Sequence, residues 1–326
     1  MLEKFLNKLH LPRWLEILLG VVFLLRIPTF FEPFYYGDEM IYLTLGNALR
    51  KGLVLYRDIH DNKPPLLYLL AGVAGNVFWF KVLLALASIL AIVLFYKLAA
   101  RIFDKQKKTL IATVAFALLT TIPLLEGNIA NAENFMLVFT TGALLLLFSQ
   151  KSDPKSLFSA GVLFGIATLF KVPAAFELPV IIVFWFVTHE TSLVKKSIYL
   201  FSGFFAPIFL TLIWFLAQGA LPDYIRAAFL QNVGYLSTFR PGDIQKPFLV
   251  KNAPLLIRAA VVALGVGIIW LKRKKFTREF MFATIWLLFA LFAVTLSERP
   301  YPHYLLQAVP ALSLLVAILV KGETID

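Results

Sequence analysis

Long apolar runs separated by short polar connections dominate this chain, and their lengths can be compared directly with a bilayer. A helix crosses the hydrocarbon core with about 20 mostly apolar residues, within a range of about 17–25. Ten windows approach that length: about 14–31, 80–100, 108–124, 134–149, 156–170, 174–188, 197–217, 253–271, 280–296 and 303–320. The fifth and sixth are short and separated only by Lys171, Val172 and Pro173, a spacing that predicts a tight helical hairpin. The expected fold class is therefore all-α integral membrane, with about ten transmembrane helices. Residues 1–326 read as a single polytopic membrane domain. The first apolar stretch has no small-residue cleavage site and is read as a retained first span.

Between these runs the longest polar connections are about 32–63 and 218–252, both on the side expected to face outward. The first carries a second pattern. From Asp38 to Lys51 the residues Ile41, Leu45, Ala48 and Leu49 fall on one helical face, with Arg50 and Lys51 in the last turn and Gly52 suited to the position just past it. Such an amphipathic loop helix is expected to lie in the outer interface.

Composition agrees with the pattern. The chain is 60% hydrophobic, with a mean hydropathy of +0.81, whereas soluble domains are about 45–50% apolar. A formal net charge of +12 could suggest nucleic acid. The placement of the charge excludes that partner, because the basic residues form short clusters between apolar runs, which is how a membrane protein records orientation. With the N-terminus cytoplasmic, the inner segments hold Lys4, Lys8, Arg13, Lys97, Arg101, Lys105, Lys107, Lys108, Lys151, Lys155, Lys195, Lys196, Lys272, Arg273, Lys274, Lys275, Arg278 and Lys321. The outer segments hold about half of the acids: Asp38, Glu39, Asp58, Asp61, Glu126, Glu133, Asp223, Asp243 and Glu298. The sequence contains no cysteine, which rules out disulfides, thiolate nucleophiles and Cys-based metal sites. Neither a G-x-x-x-x-G-K-[ST] loop nor a dinucleotide-binding glycine pattern is present. Chemistry would thus fall to outer loops and helix ends, acting on substrates from the membrane or the outer space.

Several outer polar residues have two readings. Asp38 suits a helix cap, with Glu39 complementing the dipole, and equally a general base at the membrane surface. Lys63 before Pro64-Pro65 suits a solvated flank of a proline-started helix, or an ammonium held rigidly on a phosphate. Glu133 and Asn134 begin an apolar run, either as helix-start residues or as a second acidic site. Arg299 and His303 flank a span start, where Arg commonly snorkels but an Arg–His pair also suits a phosphate. Snorkelling is the simpler account of Lys171. Arg26, near the outer end of the first span, is expected to pair with an outer acid. Tyr35, Tyr36, Tyr56, Tyr301 and Tyr304 read first as an interfacial aromatic belt. Arg226, Arg240, Lys246 and Lys251 place positive charge on the outer face, consistent with an anionic headgroup or with a loop long enough to escape the orientation rule.

Taken in order, Gly37-Asp38-Glu39, then Gly52 and Tyr56, then Asp61-Asn62-Lys63-Pro64-Pro65-Leu66 resemble the first outer loop of the GT-C superfamily. Its nearest branches are the protein O-mannosyltransferases, the lipid A aminoarabinose transferases and the Rgt-type membrane glycosyltransferases. Asn131-Ala132-Glu133-Asn134 resembles their second acidic site, and Arg299-Pro300-Tyr301-Pro302-His303-Tyr304, with Gln307 and Pro310, an element at the head of a late span. The resemblance implies inverting transfer of a sugar from a polyprenyl-phosphate donor to a hydroxyl of a lipid, glycan or protein acceptor. The site would face outward from the plasma membrane. Asp38 would be the base; Lys63, Arg299 and His303 would hold the donor phosphate; Glu39 and Glu133 would position the acceptor or a divalent cation. Tyr56, Asp61, Asn134, Lys171 and Tyr304 would contact substrate. No metal site and no cofactor are required, a divalent cation being the one addition the carboxylates could accept. Members of the superfamily are usually longer and many carry a soluble outer domain, so the resemblance also implies either a C-terminally truncated piece or a minimal member. A transporter or lipid flippase, and a non-catalytic assembly subunit, are the rival classes. The scarcity of ionisable residues in mid-span weighs against transport.

Overall fold

The computed structural model describes residues 11–33, 36–148, 153–231, 248–297, 299 and 301–320, with only the backbone described at 248 and 251. Tyr35, Arg240, Asp243, Lys246, Glu298 and the side chain of Lys251 lie outside the described residues. The described chain is almost wholly helical: α1 Arg13–Arg26, continued by a 3-10 turn Ile27–Phe31; α2 Gly37–Arg50; α3 Leu66–Ala74; α4 Val77–Ile102; α5 Gln106–Thr121; α6 Ala132–Leu147; α7 Pro154–Phe170; α8 Glu177–Val187; α9 Leu193–Ala217; α10 Leu221–Tyr224; α11 Phe248–Leu271; α12 Arg278–Thr295; and α13 Val309–Val320. Short 3-10 segments Val172–Phe176 and Pro302–Ala308 precede α8 and α13.

Each apolar window falls on a helix, but length alone does not give ten crossings. Among the described residues, six stretches are long and apolar enough: Arg13–Phe31, Val77–Ile102, Leu193–Ala217, Asn252–Leu271, Arg278–Thr295 and Pro302–Val320. The other four windows hold α5, α6, α7 and α8, with 16, 16, 17 and 11 residues. They are shorter because at one end of the bundle they break into 3-10 turns and polar loops. The amphipathic helix of the first outer loop is present as α2. Its end is the glycine cap the sequence suggested: Gly52 has φ +88°, its N–H donates to Leu49 O at 2.9 Å, and Leu53 N–H donates to Ala48 O at 3.2 Å. The proline-started helix expected after Lys63 is present as the nine-residue α3, with Pro65 at its N-cap.

Two packed regions result. The larger runs through the bundle, with Phe95 stacked on Phe116 at 4.3 Å and Trp286 fully buried. The smaller lies under the loop that carries α2 and joins Tyr42, Tyr56, Tyr68, Phe80, Phe135, Phe215 and Tyr224. Glycines set two of the closest approaches. A Cβ on Gly161 or Gly165 would collide with the α9 backbone near Leu200 and Phe204, and one on Gly46 with the α3 backbone at Gly72. Gly161 and Gly165 form a small-xxx-small pair that the sequence reading passed over; without side chains there, helices in lipid gain close van der Waals contact.

Candidate active site

The residues singled out in the outer loops converge at one end of the bundle. Asp38 sits in the first turn of α2, but it makes no cap bond; Tyr36 occupies the cap position. Its Oδ2 instead accepts the Tyr42 hydroxyl at 2.8 Å, four residues along the same helix face, and lies 3.6 Å from Lys63 Nζ. Both charged groups stay partly open, the side chains of Lys63 and Asp38 being 28% and 36% exposed. Lys63 is no free flank. Its ammonium also rests 4.9 Å from the centre of the Tyr42 ring. The Tyr56 hydroxyl fixes the backbone there by donating to Lys63 O at 2.7 Å. Tyr56 is buried against Phe215 and Tyr224 with a left-handed φ of +71°, so it belongs to the packed floor of the loop rather than to an aromatic belt. Burial raises its phenol well above the ordinary value, which keeps it a neutral donor. Asp61 accepts the Asn62 amide at 2.7 Å, and its charge acts on the Tyr68 phenol beneath the loop.

A second cluster stands beside the first. Glu133, in the first turn of α6, is buried and paired with Lys171, which sits at the bend between α7 and α8. The Lys171 ammonium lies 3.7 Å from the centre of the Tyr304 ring. Desolvation by burial holds this ammonium below its ordinary value, with Glu133 pulling it back up. Snorkelling is therefore not its role. His303 is buried between two carboxylates, with Nδ1 at 2.5 Å from Glu126 Oε2 and Nε2 at 3.7 Å from Glu133 Oε1. The Tyr36 hydroxyl donates to the same Glu126 oxygen at 2.7 Å. An acceptor-only carboxylate at Nδ1 assigns the imidazole proton to that nitrogen. Asp38 and Lys63 lie near enough to act electrostatically on Lys171, and Glu133 on Tyr42, so the two clusters are neighbours.

Other candidates support the site from behind. Glu39 turns away from Asp38 into a buried network in which Lys81 Nζ lies 2.9 Å away and the Ala130 amide donates to Oε1 at 2.6 Å. Lys81 also pairs with Glu32 at 3.1 Å and donates to Asn128 O at 2.7 Å. Burial raises the Glu39 carboxyl, and Lys81 opposes that shift. Asn134 donates to Ile129 O at 2.8 Å, tying down the turn before α6. Arg26 does not pair with an acid. Fully buried, it donates to Gly127 O at 3.0 Å and Thr120 O at 3.1 Å, orphan carbonyls at the end of α5 and in the loop beyond. Arg299 is exposed beside Tyr304, on which its charge acts. Tyr301 stacks on His303 with ring centres 5.6 Å apart.

Four participants were missed from sequence. Lys81 was legible as a lone charge inside an apolar window, and Tyr42 as the i+4 neighbour of Asp38. Glu126 was counted only as one of the outer acids, and Tyr36 only as an aromatic of the interface. Their meeting at His303, 177 and 267 positions away, leaves no local pattern.

Known proteins resemble this chain. The family described as dolichyl-phosphate-mannose-protein mannosyltransferase matches residues 63–214. An uncharacterised Aquifex aeolicus protein is 23% identical over 310 residues, covering 90% of this chain and 60% of its own length. A Pseudomonas fluorescens undecaprenyl phosphate-alpha-4-amino-4-deoxy-L-arabinose arabinosyl transferase is 26% identical over 254 residues, 74% of this chain and 45% of that protein. Among solved structures, ArnT from Cupriavidus metallidurans bound to undecaprenyl phosphate superposes with a TM-score of 0.67 at 17% identity, covering 95% of this chain and 60% of the other. The Archaeoglobus fulgidus oligosaccharyltransferase gives 0.54 at 14% identity, covering 94% and 51%. The chain thus spans about half to three-fifths of the length of the proteins it matches. With this helical architecture, the chain is a multi-pass membrane protein with the fold of the ArnT and oligosaccharyltransferase structures, and its residues 63–214 match the mannosyltransferase family.

Proposed function

We propose that this chain carries the membrane active site of a glycosyltransferase that moves a sugar from a polyprenyl-phosphate donor to an acceptor hydroxyl on the non-cytoplasmic face. The observation that carries this reading is the Asp38–Lys63 pair, a half-open carboxylate and a half-open ammonium 3.6 Å apart. One can accept a proton while the other meets a phosphate. The acceptor oxygen attacks the anomeric carbon as its proton passes to Asp38. The bond from that carbon to the phosphate oxygen breaks, and its electron pair leaves on the lipid phosphate. Direct displacement inverts the anomeric centre. Charge growing on the leaving phosphate is met by Lys63, with Lys171, His303 and Arg299 at the same rim. Tyr304 and Tyr56 shape the walls of the site, Glu133 balances Lys171, and Glu39 holds α2 in place. The scheme requires no cofactor.

ArnT binds undecaprenyl phosphate in its solved structure, which supports a lipid-phosphate donor here. The arabinosyl transferase and the oligosaccharyltransferase are both described as transferases. The distribution of basic residues supports a cytoplasmic N-terminus and an outward-facing site. Asp38→Asn tests the chemistry: it keeps the shape and removes the proton acceptor. Turnover of a polyprenyl-phosphate sugar should fall by about 10²–10⁴ with expression unchanged. Unaltered turnover would remove Asp38 as the base.

A further inference from the structure

Outside the residues that face the site, one buried carboxyl has no charged partner among the contacts of the described residues. Glu177 opens α8, within the apolar part of the bundle, and is buried. Both of its oxygens accept from neutral donors: Gln307 Nε2 at 3.0 Å on Oε1, and Trp286 Nε1 on Oε2. A carboxylate in such surroundings is costly, and a helix-start acid could satisfy the dipole from the surface instead.

The second contact of Gln307 indicates what the arrangement achieves. The same Nε2 donates to Pro173 O at 3.0 Å, two residues beyond Lys171. In the 3-10 turn Pro302–Ala308, side chains three apart eclipse, so Tyr304 and Gln307 share one edge. That edge meets the Lys171–Glu177 segment twice. Tyr304 lies under the Lys171 ammonium, and Gln307 clasps Pro173 O and Glu177. Trp286 of α12 anchors the far side of the carboxylate. His303 is carried on the same short turn and reaches Glu133, the partner of Lys171.

We propose that Glu177 and Gln307 are a positioning pair, which sets the register of the Lys171 bend against the His303–Tyr304 turn and so fixes the spacing of the cations that meet the donor phosphate. The proposal rests on the transferase reading above and adds the residues that set its geometry. It also explains why a carboxylate is needed at 177. Two N–H donors converge from different segments, one on each oxygen, and an amide there would set an N–H against one of them.

The test is retention of undecaprenyl phosphate by purified protein in detergent, alongside steady-state transfer kinetics, for wild type, Gln307→Ala, Glu177→Gln and Lys171→Ala. Glu177→Gln preserves volume but turns an amide N–H toward one of the two donors, and it serves where Gln307→Ala fails to fold. Expected for either variant is about a tenfold loss of lipid-phosphate affinity and a rise in donor KM larger than the fall in kcat. The Lys171→Ala substitution should add little to either one, because the cation it removes is already misplaced. Full additivity with Lys171→Ala, or wild-type affinity in the folded variants, would make the pair a packing element and overturn the proposal. Failure of the wild type itself to retain the lipid would overturn the phosphate reading together with this one, an outcome distinct from a defect confined to the variants.

Discussion

Consider Lys81→Met, which removes one charge from the first turns of α4 and keeps an apolar side chain of similar length. In the native structure the Lys81 ammonium is 1% exposed and faces Glu39 at 2.9 Å, Glu32 at 3.1 Å and Asn128 O at 2.7 Å. The cost falls unevenly on the partners. The Glu32 side chain is 22% exposed and can rehydrate, whereas that of Glu39 is 6% exposed and would keep only the Ala130 amide. Stranding one member of a buried pair costs about 3–5 kcal/mol. Glu39→Gln should cost less, because Lys81 retains Glu32 and Asn128 O, and adding it to Lys81→Met should recover part of the loss. Acid supplies an independent check. Burial already raises the Glu39 carboxyl, and loss of Lys81 removes the main opposing influence. A carboxyl whose folded value is raised favours the folded state below its unfolded value of about 4.3, and that advantage disappears as pH rises through the folded value. The stability gap between Lys81→Met and wild type should therefore narrow as pH falls from about 7.5 toward 5, the direction in which the stranded Glu39 takes up a proton. Thermal unfolding midpoints in one detergent, for both single variants and the double, read this directly. A gap that is constant or widens on acidification would refute the view that Glu39 is the stranded charge, as would a larger loss from Glu39→Gln than from Lys81→Met.

Further outcomes follow from the same geometry. Lys63→Ala should weaken donor binding and turnover together if its ammonium meets the phosphate throughout, and Lys63→Arg should rescue poorly because a planar guanidinium does not replace a compact ammonium beside Tyr42; donor binding and initial rates decide. Gly161→Val should push α7 off α9 and cost about 1–3 kcal/mol or more in a detergent melt, whereas Gly20→Ala, with open space around the added carbon, should be neutral or mildly stabilising. Single cysteines at His60 and Lys274, both exposed, report sidedness in a chain with no native cysteine. Only the first should react with an impermeant thiol reagent in intact cells, and reaction at position 274 alone would invert the orientation.

Much of this protein was legible in one dimension. Apolar length gave the helical membrane class, because every backbone group in hydrocarbon must bond within its own segment. The 3.6-residue period gave α2, and Gly52 marked its end. The order of Asp38, Lys63, Glu133 and His303 along the chain was sufficient to nominate an outer site. The sequence could not tell which charge faces which. Adjacent in sequence, Asp38 and Glu39 point to opposite sides of α2, one toward Lys63 at the open rim and the other toward buried Lys81. That division follows from helix geometry, which turns neighbouring residues about 100° apart, and from what the folded bundle places on each side. Lys171 looked like a snorkelling cation until Glu133 and Tyr304 closed around it. Arg26 looked like the partner of an acid, yet it satisfies two backbone carbonyls at the end of α5 and just beyond it. Glu126 gained significance only through His303, 177 residues away. Hydrophobic pattern is a local property and can be read residue by residue. The pairing of buried charges depends on distances across helices, which exist only once the bundle has packed.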